Sequence, residues 1–372
     1  MTTPERAVAR IDLGAVERNC RHLRSLLAPG ARLCAVVKAD GYGHGDVLCG
    51  RAAIDGGADW LAVATAAEAE ELRRHGIRAR ILVMGALTRE DARTALAAAA
   101  DVVAWDERFV ALLDDLARAD DLAARVHVKL DTGMGRLGAR SVDGARAVAN
   151  AVEAAGRLEL SGAMTHFATA DEPDGDAFAD QLERFAPFAD ELRGDGRLVH
   201  AANSAGTYRD SAAHFDMVRC GIAIYGLDPF HEDPSARGLE PALRLESYVA
   251  AVRRFEPGDS AGYGRRWRAD RATWVGTLPI GYGDGWRRGL TNNADVLVRG
   301  RRYPLAGTVS MDNITIDLGP ETDVVPGDVA VLIGADGDER ILCEEVARRL
   351  DTINYEITCG LSSRVRRAHT RA

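Results

Sequence analysis

Eight short apolar runs alternate with amphipathic stretches between residues 30 and 226 of this chain. The stretches between the runs, such as EDARTALAAAA, carry apolar residues at helical spacing. Alternation of strand and helix repeated eight times predicts a (β/α)8 barrel, although a doubly wound open sheet would give the same linear pattern. The runs are LCAVVKA (33–39), WLAVAT (60–65), RILVMG (80–85), DVVAW (101–105), RVHVKLD (125–131), LELSGAMTHF (158–167), LVHAANS (198–204) and MVRCGIAIYG (217–226).

The positions of reactive side chains favour the barrel over the open sheet. In a closed parallel barrel the active-site residues come from the carboxyl ends of several strands. An open sheet instead concentrates them around one switch point. Here they fall at or near the ends of several runs: Lys38, Lys129, His166, Asn203, Ser204, Arg219 and Gly221.

The sequence changes character near residue 236. Segments such as ATWVGTLPIGYG and ADVLVRGRRYPLAG are β-rich runs broken by Gly, Pro, Asn and Asp, without long helical stretches between them. We therefore expect a barrel domain over residues 1–235 and a mainly β domain over residues 236–372. The strand-like segment AVARIDL (7–13) precedes the first barrel helix and is a candidate to pair with the β domain.

The charge balance argues against a nucleic-acid-binding protein. The chain carries 47 Lys and Arg against 56 Asp and Glu, for a net charge of −9, and so lacks a basic footprint. No apolar stretch approaches the roughly 18–20 residues of a membrane span. The N-terminal sequence MTTPERAVARIDL contains no apolar signal segment. We expect a cytoplasmic protein that binds neither nucleic acid nor membrane.

The cysteines do not form a recognisable metal or redox motif. Six cysteines are scattered along the chain without a C-x-x-C pair, and no His/Cys cluster has metal-ligand spacing. We expect reduced thiols in the core and no metal site.

Lysine is almost absent, which draws attention to the two that remain. Lys38 and Lys129 are the only lysines, and the other 45 basic residues are arginine. A neutral amine can attack a carbonyl or carry a carbamate, whereas guanidinium stays protonated. The two lysines are thus candidates for chemistry that arginine cannot perform, with survival by chance as the alternative.

Residues 133–138 read GMGRLG, a literal G-x-G-x-x-G after a predicted strand. A dinucleotide-binding turn opens a helix directly, but this segment stays glycine-rich and polar until about Asp143. We interpret it as a flexible loop that presents Met134 and Arg136.

The segment AVVKADGYGHG (35–45) carries the most specific signal. A lysine at a strand end can form a Schiff base with an aldehyde cofactor, and the glycines after it permit close approach. The segment resembles the pyridoxal phosphate lysine motif of bacterial alanine racemases, a fold type III family. The resemblance covers essentially the whole chain in collinear order, through KLDTGMGRLG, MTHFATAD, HAANSAG, RCGIAIYG, AGYG, PIGYGDGW, SMDN and DTINYEITCGLSSRVRR.

The resemblance implies roles for residues of the barrel. Lys38 is similar to the lysine that binds the cofactor and acts as one catalytic base, and Tyr42 to a tyrosine that contacts the cofactor phosphate. Lys129 is similar to a lysine that is carbamylated in many members. That carbamate orients the arginine equivalent to Arg136, which contacts the substrate carboxylate.

Further residues match the cofactor site. His166 and Arg219 resemble the pair behind the pyridine ring, where an arginine weakens the ring as an electron sink and discourages side reactions. Five residues resemble the phosphate site: Asn203, Ser204, Gly221, Ile222 and Tyr355.

The resemblance also assigns residues of the β domain. Tyr263 is similar to the second catalytic base, and Tyr282, Met311 and Asp312 to the wall that binds the substrate. In this family these residues come from the neighbouring subunit, which implies a homodimer with composite sites. Cys220 stands where proline is common in the family and Ser310 at a variable position, and neither touches an implied catalytic role.

The implied reaction is the interconversion of L- and D-alanine, which supplies D-alanine for peptidoglycan. Deprotonation on one face and reprotonation on the other calls for two opposed bases. The resemblance gives Lys38 the α-proton of the D-enantiomer and Tyr263 that of the L-enantiomer, by way of an external aldimine. The alternatives are a racemase of another small amino acid such as serine, a fold type III decarboxylase, and a carrier of the cofactor without turnover.

Overall fold

A computed structural model describes residues 5–172, 174–194 and 196–371. The chain forms two compact units. One comprises Val16–Ile224, and the other combines residues up to Ala15 with Tyr225 and the residues after it. The division thus falls between Ile224 and Tyr225, earlier than the expected boundary after residue 235. Tyr225 already belongs to the second unit, where its carbonyl oxygen accepts a hydrogen bond from Ala242 N at 3.0 Å.

The first elements of the described residues are strand β1 (Val8–Asp12) and helix α1 (Leu13–Ser25). The next eight strands are β2 (Arg32–Val36), β3 (Trp60–Val63), β4 (Arg80–Val83), β5 (Asp101–Ala104), β6 (Ala124–Lys129), β7 (Leu158–Met164), β8 (Leu198–His200) and β9 (Met217–Cys220). The helices among them are α2 (Lys38–Tyr42), α3 (Asp46–Asp55), α4 (Ala66–Arg74), α5 (Arg89–Ala97), α6 (Glu107–Ala119), α7 (Val142–Ala154), α8 (Ala177–Leu192) and α9 (Ser204–Arg209).

Strands β2 to β9 close into a parallel barrel. Each strand pairs in parallel with the next along the chain, and β9 returns to pair with β2 through Arg219 opposite Cys34. The barrel predicted from the eight runs is confirmed, and the open sheet is excluded. Because all the strands run in the same direction, their carboxyl ends share one rim.

Local sequence signals define where the outer helices start. The side chains of Thr65 and Thr88 each accept a hydrogen bond from the backbone N–H of the third helical residue. The side chains of those third residues, Glu68 and Asp91, accept in turn from the backbone N–H of the threonines. These reciprocal capping boxes satisfy N–H groups that lack a partner within the helix. Each is expected to stabilise its helix by about 1 kcal/mol.

The second unit is built on β strands. Its further elements are β10 (Leu243–Tyr248), β11 (Ala251–Phe255), β12 (Ser260–Ala261), β13 (Trp267–Arg268), β14 (Thr273–Leu278), β15 (Asp295–Val298), β16 (Arg301–Pro304), β17 (Ile314–Gly319), β18 (Val329–Asp336), β19 (Glu339–Ile341), α10 (Cys343–Arg349), α11 (Asn354–Cys359) and β20 (Arg366–Thr370). In the largest described sheet the order is β16-β15-β18-β10-β1-β20, with β19 beside β18. The segment that holds β1 thus lies inside this sheet, antiparallel to β10 and parallel to β20.

The barrel interior contains a histidine whose space depends on a glycine of the neighbouring strand. His127 on β6 is completely buried. A Cβ on Gly162 of β7 would lie 2.5 Å from His127 Nδ1 and would overlap the carbonyl oxygen of Leu198. Real Cβ atoms do not approach this closely, so this strand needs glycine at position 162.

We predict that Gly162→Ala destabilises the barrel by about 1–3 kcal/mol, the usual range for overpacking a core. Urea unfolding followed by circular dichroism measures the change. Gly156→Ala is the matched control, because its Cβ would meet only the end of the flexible Arg118 side chain, at 3.3 Å. Equal stability of the two variants would contradict the close approach at position 162.

Candidate active site

The barrel rim collects the predicted site residues of the first unit. Lys38 follows β2, Lys129 ends β6, His166 follows β7 and Arg219 lies near the end of β9. The others, in the segments after β2, β6, β8 and β9, are Tyr42, Arg136, Asn203, Ser204, Gly221 and Ile222. The parallel barrel therefore brings to one rim residues that are as far apart in sequence as Lys38 and Ile222.

Lys38 stands at the start of an unusual backbone segment. Ala39, Asp40, Gly41 and Tyr42 all have φ between +52° and +59°, the left-handed region that non-glycine residues seldom adopt. Several hydrogen bonds fix the segment. Ala39 N donates to Glu68 Oε1 at 2.7 Å. The chain turns sharply after the lysine, and the Lys38 amine lies 6.0 Å from the centre of the Tyr42 ring.

Tyr42, Ser204 and Gly221 form a compact polar cluster. The Ser204 hydroxyl oxygen accepts hydrogen bonds from Gly221 N at 3.0 Å and from Ala223 N at 3.4 Å. A Cβ on Gly221 would lie 2.8 Å from Tyr42 Cζ and would overlap the phenol oxygen. The missing side chain at position 221 thus allows the tyrosine hydroxyl to reach the backbone after β9. Asn203 caps α9 by accepting a hydrogen bond from Gly206 N at 2.9 Å.

Arg219 carries a buried positive charge. Its guanidinium donates to the carbonyl oxygens of Thr165 at 2.8 Å and Ala201 at 2.9 Å. It also lies 3.2 Å from His166 Nδ1 and 2.7 Å from His200 Nδ1. No carboxylate of the described residues pairs with it, and burial lowers its pKa to about 10. Arg219 therefore remains protonated near neutral pH.

A hydrogen-bonded chain leads from Arg219 through the barrel core. His200 Nε2 lies 2.9 Å from His127 Nδ1, and His127 Nε2 lies 3.2 Å from Asp101 Oδ2. Because Arg219 donates to His200 Nδ1, His200 donates from Nε2 to His127 Nδ1, and His127 donates from Nε2 to Asp101. Burial, followed by the charge of Arg219, holds the pKa of His200 well below its ordinary value.

The carboxylate end of this chain is also fixed. Arg80 and Arg125 donate to Asp101 at 2.5 Å and 2.8 Å. Burial opposes ionisation of Asp101, but the bonds from His127 and the two arginines outweigh it and lower the pKa. Our sequence predictions did not include Asp101, His127 or His200. The signal was a histidine within each of two apolar strands, RVHVKLD and LVHAANS.

Burial and the charge of Arg219 lower the pKa of both Lys129 and His166. Lys129 is only 4% exposed, and burial, together with the charges of Arg219 and Arg136, lowers its pKa to about 8. The same causes, burial first and Arg219 second, hold the pKa of His166 well below its ordinary value. The amine of Lys129 is therefore far more often neutral than that of an ordinary lysine.

The GMGRLG segment is a loop stabilised by Asp131. Its carboxylate accepts hydrogen bonds from Gly133 N at 3.1 Å and Gly135 N at 3.0 Å. The next helix starts only at Val142. The segment does not open a helix, as expected from the sequence, and Arg136 lies exposed within it.

Gln181 is a buried residue that sequence analysis missed. Its amide donates to Thr132 Oγ1 and to the carbonyl oxygen of His166, both at 3.1 Å, and accepts a hydrogen bond from Ala168 N at 2.8 Å. It thereby connects the segments after β6 and β7 from helix α8. A glutamine on an amphipathic helix gave no signal of this role.

The remaining predicted residues belong to the second unit. Tyr263 is 73% exposed and Met311 is 52% exposed, which is unusual for such large apolar side chains. Tyr282 and Met311 are neighbours, since Gly283 N donates to the carbonyl oxygen of Met311 at 2.9 Å and Tyr282 N to that of Ser310 at 3.0 Å. The exposed Asp312 follows Met311.

A buried carboxylate holds the Tyr282 turn. Asp284 accepts hydrogen bonds from Gly281 N and from Arg6 Nη1, both at 3.0 Å. Arg364 Nε lies 3.4 Å from Asp284 Oδ1, and the same side chain donates to Asp312 at 2.6 Å, so it links the Tyr282 turn to the segment after Met311. Asp284 and Arg6 were not predicted, because their partnership joins positions 278 residues apart. In the same unit Tyr355 lies on α11, with its ring centre 6.3 Å from that of His231.

The barrel rim therefore combines an amine, a guanidinium without a carboxylate partner, and neutral hydroxyl and N–H donors. These groups suit an aldehyde cofactor that carries a phosphate. Within the described residues, no three His, Cys, Asp or Glu side chains are grouped so as to hold a metal ion. No helix in the same residues has the length and apolar character that crossing a bilayer requires.

Comparison with known proteins identifies the family. Residues 11–229 match the model of the alanine racemase N-terminal domain, and residues 242–369 match that of the C-terminal domain. The chain belongs to the alanine racemase family. The alanine racemase of Symbiobacterium thermophilum is 43% identical over 96% of both chains. Alanine racemase 1 of Bacillus subtilis is 40% identical over 96% of this chain and 92% of its own.

Solved structures of alanine racemases agree with this assignment. That of a D-cycloserine-producing Streptomyces lavendulae superposes with a TM-score of 0.93 at 36% identity, over 100% of this chain and 98% of that one. The enzyme of Streptomyces coelicolor gives 0.93 at 37% identity, over 99% and 98% of the two chains. The family resemblance inferred from the sequence motifs is confirmed.

Proposed function

We propose that this protein is an alanine racemase that uses pyridoxal 5′-phosphate to interconvert L- and D-alanine, and so supplies D-alanine for peptidoglycan. Family membership over nearly the whole chain supports the activity. The observation that carries the proposal is the Arg219 guanidinium, bonded to imidazole nitrogens and carbonyl oxygens on the rim that also bears Lys38. The six scattered cysteines, without a C-x-x-C pair, suit a reducing compartment and support a cytoplasmic location.

The residues of the rim fit pyridoxal phosphate. Lys38 supplies the amine that an aldehyde cofactor requires. Neutral donors would hold a phosphate group. Two of them, the Ser204 hydroxyl and Gly221 N, already form a hydrogen bond with each other at 3.0 Å. Tyr42, Asn203, Ile222 and Tyr355 complete the proposed cofactor site.

Arg219 decides which reactions the site favours. When bound, the cofactor supplies a conjugated ring that spreads the negative charge left at the α-carbon on proton removal. Arg219 can donate a hydrogen bond to an aromatic nitrogen but does not readily give up its proton, because even when buried its pKa is about 10. A carboxylate at this position would instead stabilise a protonated ring nitrogen. The arginine therefore favours racemisation over decarboxylation and transamination.

Two bases on opposite faces of the α-carbon account for racemisation. Lys38 Nζ takes the α-proton from D-alanine, and Tyr263 Oη takes it from L-alanine. After one base has removed the α-proton, the other donates a proton to the α-carbon from the opposite face. Arg136 binds the substrate carboxylate, and Tyr282, Met311 and Asp312 form the wall that limits substrate size.

Lys38→Arg should abolish exchange of the α-hydrogen with D2O for both enantiomers, because guanidinium is neither a nucleophile nor a base at neutral pH. Tyr263→Phe should slow exchange from L-alanine by about 100-fold or more and spare the first deprotonation of D-alanine. Single-turnover NMR and chiral chromatography measure both. Tyr248→Phe, at a half-buried tyrosine of β10, is the control. Equal, small effects of Tyr263→Phe on the two enantiomers would remove it as a base.

The exposed Tyr263, Tyr282 and Met311 support a composite site in a homodimer. Large exposed apolar side chains mark interaction surfaces when they form one patch, and Tyr282 and Met311 are neighbours. We infer that these residues enter the barrel rim of a second copy, with the three acting on a substrate held by the partner's lysine.

Mixing two inactive variants tests this arrangement. Lys38→Ala and Tyr263→Phe dimers should each be nearly inactive. After subunit exchange, about half of the dimers would be mixed, and each mixed dimer would hold one intact site, so about a quarter of the wild-type activity should return. If Lys38 and Tyr263 of the same chain worked together, mixing would restore nothing.

Carbamylation of Lys129 is the remaining element of the proposal. A neutral amine adds CO2 with loss of one proton to give an N-carboxylate, and a pKa of about 8 makes the neutral form accessible near neutral pH. The new negative charge would orient Arg136, one of the cations that now lower that pKa.

Incubation with 13C-bicarbonate should give a carbamate carbon resonance in the wild type and in Lys38→Arg, but not in Lys129→Ala. Chloride or a small carboxylate should restore part of the activity of Lys129→Ala by replacing the lost charge beside Arg136. A Lys129→Ala variant with full activity, or one that no anion rescues, would contradict the carbamate.

A further inference from the structure

Glu344 is a completely buried carboxyl group on helix α10 of the second unit. Its Oε1 atom accepts hydrogen bonds from Asp228 N at 3.0 Å and from Asn354 Nδ2 at 2.9 Å. The same Asn354 nitrogen donates to the carbonyl oxygen of Asp228 at 2.8 Å. Both acceptors of that nitrogen are oxygens, so the orientation of the Asn354 amide is fixed.

Two oxygen atoms of this pair lack a donor. Glu344 Oε2 and Asn354 Oδ1 are both buried, and neither has a hydrogen-bond partner among the described residues. A buried hydrogen-bond acceptor without a donor lowers the stability of the folded state. The two acceptors here belong to side chains that one hydrogen bond already joins, so a single added proton can satisfy both. A proton on Glu344 Oε2 would let it donate to Asn354 Oδ1 and satisfy both atoms.

The charges around Glu344 also disfavour its ionised form. The side chain of Asp228, whose backbone N–H binds Glu344, is a like charge that pairs with Arg237 at 2.9 Å. On α10 itself, the residues beside Glu344 are Glu345 and the buried Cys343, and Arg348, one turn further on, donates to the carbonyl oxygen of His231 at 3.0 Å. Burial raises the pKa of Glu344, although the hydrogen bonds donated by Asn354 and by backbone N–H groups oppose the shift.

We propose that Glu344 is protonated in the folded protein and forms a cyclic carboxylic acid–amide pair with Asn354. In this pair Asn354 Nδ2 donates to Glu344 Oε1, and Glu344 Oε2 donates to Asn354 Oδ1. The pair ties α10 to the first residue of α11 and, through Asp228, to the segment that follows Tyr225.

The acid–amide pair acts as a positioning device for Tyr355, which directly follows Asn354. This step rests on the proposed function, in which Tyr355 contacts the cofactor phosphate. The α11 helix has six residues, too few to be stable without tertiary contacts. Loss of the pair would therefore move Tyr355 without touching any catalytic atom.

The protonation state can be tested by the pH dependence of thermal stability in the holoenzyme. An unfolded glutamate ionises near pH 4.3, while a protonated Glu344 requires the folded chain to keep its proton above that pH. The stability that Glu344 contributes to the wild type is therefore complete below the unfolded pKa and is lost as the pH rises to the raised pKa of the folded state. Glu344→Gln keeps an acceptor and a donor but cannot titrate. Its melting temperature relative to wild type should therefore increase with pH from about pH 5 and then level.

Glu345→Gln is the matched control, because Glu345 is the next residue and forms ion pairs with Arg302 at 2.6 Å and Arg349 at 2.9 Å. Its melting temperature relative to wild type should not increase over the same range. Infrared spectra should also show the C=O band of a neutral carboxylic acid that Glu344→Gln lacks. A flat or falling difference for Glu344→Gln, or no such band, would overturn the protonated pair.

The positioning role has its own readouts. Glu344→Leu should speed cofactor release from diluted holoenzyme and raise KM for alanine by about tenfold, and Tyr355→Phe should do the same, whereas Glu344→Gln should leave both close to wild type. If Tyr355→Phe weakens cofactor retention but Glu344→Leu does not, the positioning role fails. If Tyr355→Phe changes neither quantity, the role assigned to Tyr355 under the proposed function fails, and the pH result still decides the pair.

Discussion

The buried charge of Arg219 determines the electrostatics of the barrel rim. It is held by carbonyl oxygens and imidazole nitrogens instead of an acid, so its field is not cancelled locally. The consequence reaches three other groups, since the pKa values of His166, His200 and Lys129 are all depressed in part by this one charge. Burial is the larger cause of each shift, and the charge of Arg219 adds to it. The nearest compensating carboxylate in the hydrogen-bonded chain is Asp101, reached only through two histidines.

The chemistry of the chain is divided between its two units. The barrel provides side chains fixed by strands and short connections, whereas the β unit presents Tyr263, Tyr282 and Met311 to solvent. The exposed group is still ordered by its own supports, such as the Asp284 carboxylate below the Tyr282 turn. This exposed group is the one that we propose completes a site in another copy.

Much of this organisation could be predicted from the sequence, because strand periodicity and the positions of Lys38, Lys129 and His166 are local signals. The family motifs added roles that the pattern alone left open. What escaped prediction depends on contacts between distant positions. Gln181 on α8 donates a hydrogen bond to Thr132, which is 49 residues away in the sequence. No pattern in either segment predicts this contact.

The left-handed turn after Lys38 lowers the stability of the backbone but supports the lysine beside it. A non-glycine residue in this conformation is less stable by about 1–2 kcal/mol, and Ala39, Asp40 and Tyr42 all adopt it. Glycine at positions 39 and 40 would relieve the tension in the backbone, but it would also loosen the support of the adjacent amine. Engineering for heat resistance at this turn would therefore compete with the readiness of the lysine to react.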